Sequence, residues 1–259
     1  MGHERLGLLP KTKRWSVIVE ELAGSMVPQK KVESVARETI RNIQGRLFQV
    51  NEDSGVIAAF KFIVALSVSA QYSDSLDFLH SLGIVIGSNA SPYFVAKAIH
   101  SFVSTHLGSP EYGNLAQSAA VDAISVWHND NRNQLRLFDT GRDSLEVWRK
   151  TGGGAGFCEL SRLFFAKFTE RYINYFLERV LSSTAESISD REELNQRLSE
   201  HVEVMSKHAF ETAKITQSFA AGWFNKYADR TVPSDEEIKR FLRIAFGKLT
   251  EELGRDAKT

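Results

Sequence analysis

The residues with the most chemical promise stand together at Thr151-Gly152-Gly153-Gly154-Ala155-Gly156, followed by Phe157-Cys158-Glu159-Leu160-Ser161-Arg162. A glycine-rich loop that opens a helix aims free N–H groups and the positive end of the helix dipole at one spot, the arrangement that holds anions and phosphates. Gly153, Gly154, Gly156 and Arg162 are therefore the candidate ligand- or anion-binding residues. The spacing is not that of a dinucleotide fingerprint, no predicted strand precedes it, and no Gly-Lys-Ser/Thr follows as in a phosphate loop. Four glycines within residues 152–156 equally suit a joint at 151–156 between two helical parts, 1–150 and 157–259.

Cys158 falls in the first turn of the helix after this run, where the dipole lowers a thiol pKa and raises the thiolate fraction. With Glu159 beside it, it is the candidate catalytic residue. A cysteine nucleophile also needs a base, and the spacing of His100, His106, His128, His201 and His208 does not say which one approaches. Cysteine is equally one of the most commonly buried residue types, so inert packing competes with catalysis. His201 and His208 share a helix face but stand two turns, ~10.5 Å, apart, too far to bind one zinc ion together. HExxH, paired CxxC and Asp-rich calcium loops are missing from the sequence, and neither a metal nor a cofactor is expected. Asp74, Asp77 and Asp122 are the carboxylates best placed for acid–base work, because they lie in a charge-poor segment; helix caps and surface positions explain them as well.

A third cluster is basic. Lys30, Lys31, Arg37 and Arg41 fall on the helix that Pro28 opens, and Arg37 and Arg41 are neighbours one turn apart. They could touch a phosphate backbone or an acidic partner protein. Glu33 and Glu38 dilute the patch, and a solvated helix face is the competing reading.

The elements that must position these groups are helical. Of 259 residues, 42% are hydrophobic and 25% charged, enough apolar material for a globular unit that buries roughly three quarters of the surface its unfolded chain exposes. Trp15, Ile18, Val19 and Leu22 repeat at helical spacing before Gly24, and the stripe resumes from Pro28 to Leu47. Residues 55–70 are apolar nearly all round, although Lys61 interrupts them, and read as a core helix too short to cross a bilayer. A short helix from Ser73 to Leu82 ends at Gly83. Ser91-Pro92 and Ser109-Pro110 each offer an N-cap hydroxyl before a first-turn proline. The second of these helices runs towards Trp127, after which residues 128–133 have no apolar member and read as a loop. For residues 134–150 a short helix from Asp143 to Trp148 is preferred to a hairpin near Asp139-Thr140-Gly141.

Phe157, Leu160, Phe164, Phe168, Tyr172 and Phe176 line one side of the next helix. Ser189 to Glu192 has capping-box spacing and starts a rod of ~55 Å reaching to about Tyr227, for which Ala220-Ala221-Gly222 is the cheapest break. Ser234 and Glu237 repeat the capping chemistry before the last helix. The predicted fold is all-α: an irregular multi-helix bundle of about eight helices in a single domain, with a long antiparallel C-terminal pair, 157–182 against 190–228.

Lys+Arg and Asp+Glu each number 32, so no overall basic excess points to nucleic acid, and zero net charge suits a subunit that resides in a complex. A lone cysteine fits a reducing compartment, and the start Met-Gly-His-Glu-Arg-Leu lacks a secretory h-region; the expected location is cytoplasmic, without membrane attachment. The function expected is that of a non-enzymatic adaptor or accessory subunit, bound to a protein partner or to copies of itself through helical surfaces. The rivals are an enzyme or ligand binder using the glycine loop, and a nucleic-acid-associated protein using the basic helix. A multi-gene assembly such as a bacterial host-defence machine is one setting for such a subunit, and no residue specifies it.

Overall fold

A segment with no polar face is stable in water only when other helices enclose it, and α1, Ser54–Ser69, is that segment. Asp53 starts it: the carboxylate accepts from the N–H groups of Gly55 and Val56 at 2.9 and 3.0 Å. Every residue from Gly55 to Ser69 except Lys61 is buried. The computed structural model describes residues 45–87, 90–106, 110–136, 144–184 and 217–256, with isolated helical positions at 39, 41, 192, 196, 200, 202 and 204. Among these residues the fold is all-α, with no strand.

The helices that follow are α2, Ser75–Ser81; α3, Pro92–Ser104; α4, Pro110–Arg136; α5, Ser144–Arg149; α6, Gly154–Thr184; α7, Gln217–Tyr227; and α8, Asp235–Asp256. The chain clusters into two compact units. One holds residues 1–49, 169–213 and 246–259, the other residues 50–168 and 214–245. The glycine run at 151–156, the expected joint, lies inside the second unit together with residues on both sides of it.

Within the second unit α1 packs on α4, α3 and α2. The α1–α4 crossing is set by two glycines: a Cβ on Gly55 would stand 2.8 Å from the Gly113 Cα. On its other side α1 offers Phe60 to Phe164 and Phe165 of α6, with ring centroids 5.4 Å away in each case, and to Phe241 of α8 at 5.2 Å. Phe241 in turn meets Phe219 at 5.2 Å and Trp223 at 4.7 Å, both from α7. Aromatic pairs at these separations add about 0.5–1.5 kcal/mol each to area burial, and together they join α1, α6, α7 and α8 into one core. In the other unit, Tyr172 packs edge-on against Phe176 at 5.2 Å.

Helix ends follow local chemistry where that chemistry is satisfied. Gly83, at φ +77°, closes α2: its N–H donates to the His80 carbonyl and that of Ile84 to the Leu79 carbonyl. Ser234 and Glu237 form the expected capping box, the Glu237 carboxylate accepting from the Ser234 N–H at 2.8 Å and hydroxyl at 2.9 Å. Pro92 and Pro110 begin α3 and α4 as expected, but the Ser91 hydroxyl makes no cap bond; the fixed φ of proline starts α3 without it.

Two expectations are corrected. Residues 128–133 continue α4 to Arg136, because tertiary burial replaces the missing apolar periodicity: His128 and Asn131 are buried, and Asn131 Nδ2 donates to the Trp127 carbonyl at 3.0 Å. No break occurs at Ala220-Ala221-Gly222; α7 passes through, with Ala220, Trp223 and Phe224 buried against the core while Gly222 faces outward. The helix preferred within 143–148 is α5. The helices expected around Trp15 and from Pro28, the Ser189 capping box and most of the rod from 190 to 216 lie outside the described residues, and with them the antiparallel pairing with α6.

Candidate functional site

The glycine run is occupied by packing. A Cβ on Gly152 would stand 3.1 Å from the Ala70 carbonyl group at the end of α1, and one on Gly154 would meet Asn225 Oδ1 at 2.9 Å and the Ala221 Cβ at 3.0 Å. One on Gly156 would collide with the Lys150 carbonyl; only Gly153 has open space around it. The backbone approaches α1 at Gly152 and α7 at Gly154 too closely for side chains, and at Gly156 it is crowded by the turn that precedes the helix; close packing thus accounts for three of the four glycines.

Cys158 is buried, and burial pushes its thiol pKa up, with the Arg162 guanidinium pulling the other way. That shift suppresses the thiolate on which nucleophilic attack depends. Glu159 is exposed and Arg162 half-buried on the same helix. Lys30, Lys31 and Arg37 lie outside the described residues, as do His201 and His208; Arg41 is half-buried. Asp74 and Asp77 are exposed at α2, and Asp122 is half-buried in α4. Among the described residues no group of three or more His, Cys, Asp or Glu side chains could hold a metal ion. None of the described helices is long and apolar enough to cross a membrane.

Two features stand out that no motif announced. The first is a group of exposed apolar side chains on the segment that follows α2 and in the first turn of α3. Val85 is 68% and Tyr93 72% exposed, with Leu82 and Phe94 partly so. Tyr93 and Phe94 meet edge-to-face at 5.4 Å, and Phe94 lies over Gly87. The backbone behind them is held in a costly shape. Ala90 has φ +41°, its N–H donates to the Gly87 carbonyl at 2.8 Å, and its own carbonyl accepts the indole N–H of Trp148 at 2.7 Å. Trp148 is itself fixed by stacking on Trp127, 5.6 Å away.

Comparison with family models, curated proteins and solved structures finds no match to this chain.

The second feature is an open cleft of about 490 Å³. Lys61 and Ala65 of α1 form one wall; Ser101, Phe102, Thr105 and His106, at the end of α3, form another. Leu82, Gly83 and Ile84 also line it, as does Val232 from the segment before α8. That segment is strapped to the end of α1: Gln71 Oε1 accepts from the Arg230 N–H at 2.7 Å, Gln71 Nε2 donates to the Ala228 carbonyl at 3.2 Å, and the Tyr72 hydroxyl donates to the Arg230 carbonyl. At the rim Lys61 Nζ reaches Asp235 Oδ1 at 2.7 Å. The detectable signal in the sequence was Lys61, the one charge in a run otherwise fit for full burial. Nothing in the spacing connected it with His106 or Asp235.

Proposed function

We propose that this chain is a non-enzymatic accessory subunit that docks on a protein partner through the edge formed by Leu82, Val85, Tyr93 and Phe94. The observation that carries this reading is the exposure of Val85 and Tyr93, two large apolar side chains, beside Leu82 and Phe94. Tyrosine and phenylalanine are enriched in interface cores, where they bury a large area and lose few rotamers. The strained Ala90 and its Trp148 anchor support it: backbone strain persists where surrounding contacts over-determine it, and a preshaped edge has less ordering to lose on binding. Zero net charge and a location in the cytoplasm, inside a multi-protein complex, complete the proposal.

The test is affinity purification from the native source at native abundance, comparing the natural chain with a Val85→Asp, Tyr93→Asp double variant of unchanged melting temperature. A stoichiometric partner retained by the first and lost by the second is the expected result. A clean monomer, or a partner that both retain, refutes the reading.

A further inference from the structure

We infer that the surface around Val85, Tyr93 and Phe94 receives an acidic apolar segment of a partner protein, one in which Asp or Glu accompanies large hydrophobic side chains. The inference rests on the docking reading above and adds the charge of what docks. The stretch that builds this surface, residues 78–110, contains no Asp or Glu, although 32 of the chain's 259 residues are acidic. Its one Lys or Arg is Lys97.

Helix α3 sets where that charge stands. At 3.6 residues per turn, Tyr93, Phe94, Lys97, His100, Ser101 and Ser104 fall on one arc with Lys97 near its middle, and all six are exposed. Val95, Ala98, Ile99 and Val103 fill the opposite arc and are buried. Lys97 follows Tyr93 by one turn, and helical side chains lean towards the N-terminus, so its stem lies towards the Tyr93–Phe94 pair. Among the described residues Lys97 makes no ion pair. A partner that covers Tyr93 therefore also reaches an uncompensated ammonium, and has either to pair with it or to strip its water without return. Asp or Glu meets that demand, whereas Lys or Arg adds repulsion. A single lysine is too few for a phosphate backbone, whose hold on a protein comes from several contacts at once, or for an anionic membrane, which is held by clusters of basic residues. Beside large apolar side chains it suits a peptide segment with one or two carboxylates in an apolar surface.

The experiment selects from a random peptide library displayed on phage against the immobilised full chain, discarding sequences that also bind a Val85→Ser, Tyr93→Ser variant. Val85 and Tyr93 are 68% and 72% exposed, so serine at both leaves the fold intact, and it adds no charge. The surviving sequences should carry large apolar residues with an excess of Asp and Glu over Lys and Arg. One of them is then made in three forms: as selected, with its acids changed to Asn and Gln, and with its acids changed to Lys. Kd should rise in that order, by about two- to threefold per step for one exposed pair, and Lys97→Glu should reverse the order. Survivors without the acidic excess, or an order unchanged by Lys97→Glu, overturn the inference and leave the docking surface standing. No sequence that depends on Val85 and Tyr93 overturns both. Saturable binding of equimolar phosphatidylcholine and phosphatidylserine vesicles, or of oligothymidylate, at physiological salt and lost in the serine variant assigns the surface to a membrane or a nucleic acid and also overturns the inference. Should the charge-reversed chain not fold, Lys97→Gln is read instead, and should abolish the preference for the acidic form.

Discussion

Replacing each of the four glycines at 152–156 by alanine in turn separates a packed joint from a mobile one, because the same added methyl group meets a different neighbour at each position. At Gly153 nothing lies within 4 Å and the backbone is extended, φ −108° and ψ 159°, which alanine adopts freely. Gly153→Ala should stabilise by about 0.4–1 kcal/mol, through the reduced freedom of the unfolded chain. At Gly152 and Gly154 the neighbours stand at 2.9–3.2 Å and must give by a few tenths of an ångström. At Gly154 a cost of about 1 kcal/mol follows, the low end of the overpacking range, since the Asn225 side chain can turn away; at Gly152 the neighbour is the Ala70 carbonyl, backbone that must shift, and the cost is about 2 kcal/mol. At Gly156 the obstacle is the Lys150 carbonyl, backbone that cannot rotate aside, and the cost rises to about 3 kcal/mol. Each kcal/mol moves the melting temperature of a domain of this size by roughly 2–4 °C, so the expected order is a rise of about 1–4 °C for Gly153→Ala and a fall of about 6–12 °C for Gly156→Ala. Thermal unfolding followed by far-UV circular dichroism reads the series directly. A flexible connector would respond to all four substitutions alike and weakly. Four melting temperatures within a degree of one another, or Gly156→Ala as stable as the natural chain, would refute the packing argument.

Two other perturbations test the α4–α5 contact. His128 is buried against Trp148, ring centroids 5.1 Å apart. Burial and then the Arg132 charge hold its pKa below the ordinary histidine value. A base whose pKa is lower folded than unfolded binds fewer protons in the native state, so stability falls as pH drops from the unfolded pKa through the folded one and then levels off. His128→Phe keeps a ring against Trp148 and removes that dependence: urea midpoints at pH 7 and pH 5 should differ less for the variant than for the natural chain, and equal differences would contradict the assignment. Trp148→Phe retains an aromatic ring on Trp127 but deletes the donor to the Ala90 carbonyl. Leaving that buried acceptor unpaired should cost about 1–3 kcal/mol in urea unfolding; a loss of under half a kcal/mol would show that the φ +41° backbone does not rest on this bond.

What could be read from sequence, and what could not, divides by the distance over which the deciding contact acts. The unbroken apolar character of 55–70, the prolines at 92 and 110, Gly83 and the Ser234–Glu237 pair each act within one or two helical turns, and each forms the element expected of it. The polar run at 128–133 reads as a loop by its own composition, yet it is helical, because Trp148, a residue beyond the next connection, packs against His128 and gives a sequence without apolar periodicity a face to pack. The glycine run was ambiguous for the same reason: whether Gly154 frees the chain or lets it approach depends on Ala221 and Asn225, some seventy positions away. The cleft is the extreme case. Lys61, Ser101, His106, Val232 and Asp235 have ordinary surface identities, no spacing that a motif could capture, and a separation of 174 positions between the two ends of its ion pair. Lys61 alone stands out in local pattern, as a charge in a run otherwise fit for burial; that it meets Asp235 and stands opposite the end of α3 is decided by packing between helices, which no short-range spacing records.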